Sequence, residues 1–225
     1  MTQEFKPFPK MARLSRECYI TEKIDGTNAS IFIYDPKLNT EGEEGFTSAK
    51  DAMGKVWNIK VGSRTRWITP ADDNFGFAKW VWDNVAEIVD LGVGHHFGEW
   101  WGSGIQRGYG FKNGERFFSL FNAGRWVEHD KPTYAIENPN PKAPPKFTEN
   151  APACCKVVPI LDRCLFDDTY DDVPVADVAL RALERYGSCA APNYMNPEGV
   201  VVYHVAAGIG FKKTIDDDAQ PKGLQ

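Results

Sequence analysis

The chain has 225 residues, 42% of them hydrophobic, and a formal net charge of −5. This length and composition suffice for one large domain with a substantial core, and the negative balance argues against a protein that coats nucleic acid over its whole surface. The sequence has no apolar run long enough to span a membrane, no secretion-signal layout and no Cys-x-x-Cys pair, so we expect a cytoplasmic protein with reduced thiols. We also expect a monomer.

The first half of the chain is predicted to form strands around one helix. Residues 1–15 read as an extended lead-in, and strands are predicted at 18–23, 29–34, 45–50 and 61–68. In the second strand Ala29, Ile31 and Ile33 alternate with polar or aromatic residues, which indicates one buried face. Apolar residues at helical spacing then predict a helix over 77–88, with cap candidates at 72–74 and an end at Gly92.

The second half adds more strands and one further helix. Strands are predicted at 96–101, 117–121 and 156–161, and a glycine-rich loop at 102–110. The proline-rich stretch 131–152 is predicted to be a surface excursion. A helix is expected over 175–186, closed by Gly187, followed by a hairpin of 199–204 and 208–214. Because strands outnumber helices and lie close together, an antiparallel α+β architecture is predicted.

A few charged residues interrupt these strand-like runs beside glycines or strand ends. They are Lys23, Glu99, Glu198 and the adjacent pair Lys212-Lys213, with Asp25 close to the first. A lysine at the end of a buried strand is costly unless it is paired or has a function. Carboxylates that hold a divalent metal, together with lysines that offset phosphate charge, suit phosphoryl or nucleotidyl transfer. Singly, each residue has a simpler explanation; Lys23, for example, would serve as an edge-strand charge that prevents aggregation.

Taken in order, these residues resemble the motifs of covalent nucleotidyltransferases, the polynucleotide ligases and capping enzymes. Residues 22–28 are similar to the lysine–x–aspartate–glycine motif, and the flanking Glu22 and Thr27-Asn28 favour the RNA ligase branch, of the RNA ligase 2 type. The later motifs follow in family order: Ser63-Arg64-Thr65, Phe97-Gly98-Glu99, residues 118–122, residues 198–201 and residues 211–214. The resemblance spans most of the chain.

This resemblance implies an antiparallel-sheet, ATP-grasp-like nucleotidyltransferase core with flanking helices. The core would occupy residues 1–225 as a single domain, without a C-terminal oligonucleotide-binding fold or helical domain. It also implies an ATP-dependent RNA ligase that uses Mg²⁺ or Mn²⁺. The enzyme would form a lysyl-AMP intermediate, pass AMP to a 5′-phosphate end and seal that end to a 3′-hydroxyl.

The resemblance further assigns roles to individual residues. The catalytic residues would be Lys23, Asp25, Glu99, Glu198, Lys212 and Lys213, and Lys23 would attack the α-phosphate of ATP. The nucleotide would be bound by Glu22, Asp25, Asn28, Arg64, Glu99, Phe121, Glu198, Lys212 and Lys213, with Phe121 stacked on the base and with Glu99 and Glu198 holding the metal. The family usually has lysine–x–lysine in its last motif, so the sequence leaves open which of Lys212 and Lys213 contacts phosphate. Asn122 stands where many relatives carry aspartate.

Nucleic acid is the expected partner, as nicked or single-stranded RNA and possibly DNA. Basic residues that could contact it are Arg64, Arg107, Lys112 and Arg116. Within the superfamily, a DNA ligase and a GTP-using capping-type guanylyltransferase remain alternatives. Outside it, Glu99 and Glu198 beside Trp100-Trp101 could be the paired acids of a glycosidase, but Lys23 and Lys212 would then have no role. A non-catalytic binding module with a degenerate site is the remaining alternative.

Overall fold

The computed structural model describes residues 5, 7–38, 46–127 and 150–216, which form three sheets and four short α-helices. The strands are β1 (Glu17–Lys23), β2 (Thr27–Tyr34), β3 (Phe46–Lys50), β4 (Val56–Ser63), β5 (Trp67–Ile68), β6 (Gly94–Gly102), β7 (Arg116–Leu120), β8 (Lys156–Val157), β9 (Ile160–Leu165), β10 (Thr169–Tyr170), β11 (Val173–Pro174), β12 (Gly199–His204) and β13 (Ile209–Thr214). The helices are α1 (Phe77–Asp83), α2 (Val85–Ile88), α3 (Ala123–Trp126) and α4 (Val175–Tyr186), with 3₁₀ turns at Pro36–Leu38, Val89–Leu91 and Gly108–Gly110.

Two sheets carry most of the architecture. The larger has the order β3-β4-β2-β6-β7-β8, with β5 paired to β4, and the smaller has the order β13-β12-β1-β9. Every pair in these sheets is antiparallel except β7 with β8, which is parallel. The predicted α+β class with flanking helices is therefore confirmed.

Each sheet buries one face against helices. The alternation predicted in β2 is confirmed, because Ala29, Ile31 and Ile33 are buried in a core that includes Phe77 and Val81 of α1. The smaller sheet packs Ile20 and Val200 against the apolar side of α4. The opposite faces of both sheets are consequently available to line a site.

Two predicted strands are wrong as single elements. Residues 61–68 form a tight hairpin rather than one strand, because the chain turns at 64–66 and Val61 pairs with Ile68. Residues 156–161 divide at Pro159, which has no amide hydrogen to donate to a ladder. The chain there leaves the larger sheet after β8 and enters the smaller sheet as β9.

The predicted helix over 77–88 is interrupted at Asn84. Its side-chain amide donates to the Trp80 carbonyl at 2.8 Å and competes with the regular helical pattern. The N-cap position is Gly76, but the carboxylate of Asp73, one of the cap candidates, accepts from the first-turn amides of Ala78 and Lys79. The helix predicted over 175–186 is confirmed at both ends, and Gly187 follows it with φ +83°.

Parts of some predicted elements lie outside the described residues. They include most of the proline-rich stretch 131–152 and the first residue of the strand predicted at 45–50. Across the described ranges the longest helix, α4, has 12 residues, so none of the helices there could cross a bilayer.

Candidate active site

Lys23 is the last residue of β1, and its side chain lies in a cavity between the two sheets. Tyr19 and Thr21 share its face, since side chains alternate along a strand, and all three line this cavity of ≈ 800 Å³. The Lys23 ammonium forms an ion pair with the carboxylate of Glu198, whose side chain is only 4% exposed. A lysine–carboxylate pair thus lies where β1 ends and β12 begins.

The turn after Lys23 is held by Glu99 of β6. The Gly26 amide donates to one carboxylate oxygen of Glu99 at 3.0 Å, and the Asn28 side-chain amide donates to the other at 3.0 Å. Gly26 is required there, because a Cβ would lie 2.5 Å from the Trp100 carbonyl oxygen. Burial raises the pKa of Glu99 to about 7, although Lys23 and the two donors act in the opposite direction.

Asp25 is held on the other side of the same turn. Its amide donates to the Tyr109 hydroxyl at 2.8 Å, and its carboxylate accepts from Arg107 Nε at 3.2 Å. The remaining guanidinium nitrogens of Arg107 donate to the carbonyls of residues 196 and 197 and to Asp216. Arg107 therefore connects the turn to the segments before β12 and after β13, and its guanidinium is occupied within the protein.

The far side of the cavity is suited to a flat ring. Phe121 and Asn122, at the end of β7, line it together with Phe97 of β6 and Val201 of β12. Phe121 is 43% exposed and lines the cavity, so it is accessible to a ligand there. An aromatic base could enter between Phe121 from one sheet and Val201 from the other.

Glu22 adjoins Lys23 and is among the residues that line the cavity, but its carboxylate is bound on the opposite side of the smaller sheet. It is fully buried on the α4 side of the smaller sheet and accepts hydrogen bonds from the Ser188 hydroxyl at 2.5 Å, the Cys189 amide at 2.7 Å and the Ala190 amide at 2.9 Å. Burial raises the pKa of Glu22 to about 7, and these donors offset only part of that effect. The Glu22 side chain thus fixes the loop after α4 to β1.

The adjacent lysines of β13 face opposite sides of the smaller sheet. Lys212 is paired with Val201, a cavity-lining residue, so it shares the face of Lys23. Lys213 is paired with Val200 and forms an ion pair with Asp177 of α4. The register therefore favours Lys212 over Lys213 as a phosphate ligand.

The other basic candidates have different surroundings. Arg64 is exposed in the turn between β4 and β5, and Lys112 is exposed in the loop before β7. Arg116 instead donates to the carbonyls of Ser103 at 2.9 Å and Phe75 at 2.6 Å, which anchors two loops. Of the four basic residues that the sequence suggested for nucleic acid, the two with exposed side chains are Arg64 and Lys112.

Tyr109 and Ser188 contribute to the site but were not singled out by the sequence patterns. Tyr109 has φ +50° between two glycines, and its hydroxyl fixes the Asp25 amide. The sequence signal that could have identified Tyr109 is an aromatic residue inside a glycine-rich loop. Ser188 is connected to the site through its hydrogen bond to Glu22, and nothing local in the sequence connects two residues so far apart.

The donor set fits a divalent metal that is shared with phosphate. No group of three or more histidine, cysteine or acidic side chains suited to a metal occurs in the described part of the chain. Glu99 and Glu198, however, both interact electrostatically with Lys23. Mg²⁺ is usually held by one or two carboxylates plus substrate phosphates, and Mn²⁺ accepts the same oxygen ligands. Two carboxylates are therefore sufficient for an ion that arrives with a nucleotide.

Comparisons with known proteins give one matching family model and several similar solved structures. A family model described as RNA ligase matches residues 16–214. No curated protein matches the chain. Solved structures of Naegleria gruberi RNA ligase are similar. A mutant with AMP and Mn has a TM-score of 0.49 at 16% identity, with 89% of this chain and 50% of that one covered. The protein with PPi has a TM-score of 0.47 at 17% identity, with 89% and 50% covered. The chain thus spans about half the length of these neighbours.

Proposed function

The chain belongs to the RNA ligase family, and on that premise we propose that it is an ATP-dependent RNA ligase that forms a lysyl-AMP intermediate on Lys23. The observation that carries the proposal is the position of the Lys23 amine, in a nucleotide-sized cavity and in direct contact with Glu198. A lysine in such a place has both room for a substrate and a partner for its proton.

In the first step the Lys23 nitrogen bonds to the α-phosphorus of ATP. The phosphorus–oxygen bond to pyrophosphate breaks, and pyrophosphate leaves. The amine must be neutral to attack, and the Glu198 carboxylate, to which Lys23 donates in the structure, is placed to accept the proton. In the later steps AMP passes to a 5′-phosphate end, and a 3′-hydroxyl displaces it to join the strands.

The remaining cavity residues are proposed to bind the nucleotide. Phe121 and Val201 would hold the base between them, and Asn28 would contact the ribose while it fixes Glu99. Lys212, on the cavity face, would stabilise charge on the α-phosphate. Lys213 is proposed to support the fold through Asp177 rather than to bind phosphate.

Glu99 and Glu198 are the residues that would hold Mg²⁺ or Mn²⁺. The ion would supply positive charge beside the phosphates during attack. The roles of the protein residues do not change with the choice of metal, because both carboxylates are fixed by the protein itself. Glu99 is oriented by Gly26 and Asn28, and Glu198 is oriented by Lys23.

Covalent labelling tests the proposal directly. The protein is incubated with ATP labelled at the α-phosphate and a divalent metal, and label retained after denaturation is measured. We expect an acid-labile label that is absent in Lys23→Ala and present in Lys79→Ala, an exposed lysine of α1 paired with Asp83. Label that persists in Lys23→Ala would refute the assignment of the nucleophile.

The nucleotide and the acceptor are tested with the same preparation. GTP offered in place of ATP should give little label, and efficient labelling from GTP would favour the capping-type alternative. Labelled protein is then given nicked RNA, single-stranded RNA with a 5′-phosphate, or nicked DNA. Transfer of label to RNA and formation of a sealed strand are expected, and sealing confined to DNA would contradict the substrate class.

A further inference from the structure

Three strands of the smaller sheet end at one edge, beside the proposed nucleophile. In the ladder of β1 and β12 the last pair is Lys23 with Gly199, and β13 reaches the same edge at Thr214. The turn after Lys23 and the segment that carries Glu198 therefore lie beyond the ladder of β1 and β12. Segments without ladder hydrogen bonds open more easily than the strands themselves, so the ion pair of Lys23 with Glu198 lies where the sheet is least constrained.

Arg107, in the loop between β6 and β7, bonds to the chain beyond all three strand ends. Its Nε donates to the Asp25 carboxylate, after β1, at 3.2 Å. Its Nη1 donates to the carbonyls of Asn196 at 3.1 Å and Pro197 at 3.5 Å, before β12. Its Nη2 donates to the Asp216 carboxylate, after β13, at 3.4 Å. We call this set of hydrogen bonds the Arg107 clamp.

The loop that carries Arg107 is itself anchored on both sides of that residue. Ile105 and Tyr109 are 0% and 3% exposed and belong to the larger core. Tyr109 also accepts the Asp25 amide at 2.8 Å. Gln106 and Tyr109 have φ +46° and +50°, a conformation that costs free energy in residues other than glycine and that recurs at functional sites. Arg107 thus projects from a fixed segment of backbone.

Arg107 does not contact the nucleotide cavity directly. Neither Arg107 nor Asp25 is among the residues that line the cavity in which Lys23 lies. The Nε, Nη1 and Nη2 atoms of Arg107 all donate within the protein, so contact with a phosphate would first require these bonds to break. The geometry therefore favours an effect of Arg107 through the residues that it holds.

We propose that Arg107 is a positioning residue that keeps the Lys23 amine aligned for attack on the α-phosphate. The clamp fixes the separation between the turn after Lys23 and the segment before Glu198, and it holds the end of the strand that carries Lys212 through Asp216. The attack itself rests on the proposed function, whereas the clamp rests on the hydrogen bonds of Arg107. A displacement of about 1 Å between reacting groups is enough to slow a reaction about 100-fold.

Labelling kinetics and nucleotide binding in Arg107→Ala test the proposal. The rate of covalent labelling is measured over a range of ATP concentrations with a divalent metal. Binding of α,β-methylene-ATP, which cannot release pyrophosphate, is measured by isothermal titration calorimetry. The variant should lose about 100-fold in maximal labelling rate, while the half-saturating ATP concentration and the affinity for the analogue change by less than about 3-fold. A loss of analogue affinity as large as the loss of rate would overturn the positioning role.

Two further variants separate positioning from stability. Arg107→Lys keeps the positive charge but lacks the planar fork that reaches several partners at once, so its labelling rate should stay about 10-fold or more below that of the wild type. Full recovery of the rate in this variant would overturn the clamp.

Asp51→Ala is the matched control, at the far edge of the larger sheet. The Asp51 carboxylate accepts three hydrogen bonds at 2.9 Å, from two backbone amides and the Trp57 indole, in the turn between β3 and β4. Its loss should lower the midpoint of urea unfolding but leave the labelling rate unchanged at a temperature where the variant is folded. Slow labelling in folded Asp51→Ala would show that the rate follows stability alone and would overturn the proposal.

A double-mutant cycle tests whether Asp25 and Arg107 act through the same contact. Asp25→Asn should slow labelling in the wild-type background but should have little further effect when Arg107 is already alanine, because the contact is then absent. Losses of rate that multiply in the double variant would mean that the two residues act independently, and would overturn the clamp.

The same measurements separate the clamp from the proposed function. If the wild type is labelled and folded Arg107→Ala is labelled at the same rate, the clamp is refuted while the proposed enzyme stands. If the wild type binds the analogue but acquires no label from ATP, both proposals fail. A loss of RNA affinity in Arg107→Ala without a change in labelling rate would identify Arg107 as a nucleic-acid contact and overturn its positioning role.

Discussion

Glutamine in place of Glu22 should remove a pH-dependent loss of stability. Glu22 is fully buried, and burial raises its pKa from the ordinary 4.5 to about 7. Between these two values the unfolded chain ionises Glu22 while the folded protein keeps it protonated, so the folded state binds more protons. The free energy of unfolding therefore falls as pH rises. The contribution is fully present below about pH 4.5 and is lost once pH exceeds about 7.

The size of the effect follows from the same interval. Each pH unit within it changes the free energy of unfolding by about 1.4 kcal/mol, which gives about 3 kcal/mol over the whole window. Glu22→Gln keeps the shape of the side chain and does not titrate. The free energy of unfolding of the wild type, minus that of the variant, should therefore decrease by about 3 kcal/mol from low to neutral pH.

Urea denaturation of both proteins at several pH values, from about 4 to 8, measures this difference. Glu99 and the other titrating groups are present in both proteins, and their contributions cancel where they do not couple to Glu22. A difference that stays flat with pH, or that increases with it, would refute the reasoning. Either result would mean that the Ser188, Cys189 and Ala190 donors keep Glu22 ionised in the folded protein.

Three other substitutions test the geometry of the site. Lys212→Ala should slow covalent labelling about 100-fold. Lys213→Ala should mainly lower the free energy of unfolding, by about 1 kcal/mol or less. Equal losses of labelling rate in the two variants would contradict the assignment of the two lysines to opposite faces of the sheet. Gly26→Ala should destabilise the protein by about 1–3 kcal/mol in urea titrations, because its Cβ would lie 2.5 Å from a carbonyl oxygen, and an unchanged midpoint would argue against this packing. Arg107→Ala should lower the free energy of unfolding by about 2 kcal/mol, because its guanidinium donates hydrogen bonds within the protein. A loss of RNA affinity with unchanged stability would instead indicate that Arg107 contacts nucleic acid.

The sequence by itself determined most of the elements around the site. The helix over 175–186 was predicted at both ends, because its apolar spacing and the following Gly187 are local properties. The alternation in β2 likewise identified the buried face, and the motif order brought Lys23, Glu99 and Glu198 to one site. Local periodicity and turn residues are sufficient to predict a feature that depends on a single helix or strand.

Only the tertiary structure decided which side of a strand each residue uses. Glu22 and Lys23, like Lys212 and Lys213, are neighbours that must point to opposite faces. The sequence cannot say which face is the cavity, because that depends on the packing of α4 against the smaller sheet. The division of residues 156–161 between two sheets and the hydrogen bonds of Arg107 within the protein also depend on tertiary structure. Their partners lie on other sheets or far along the chain. Contacts between such distant residues are fixed by sheet register and packing, which no local pattern encodes.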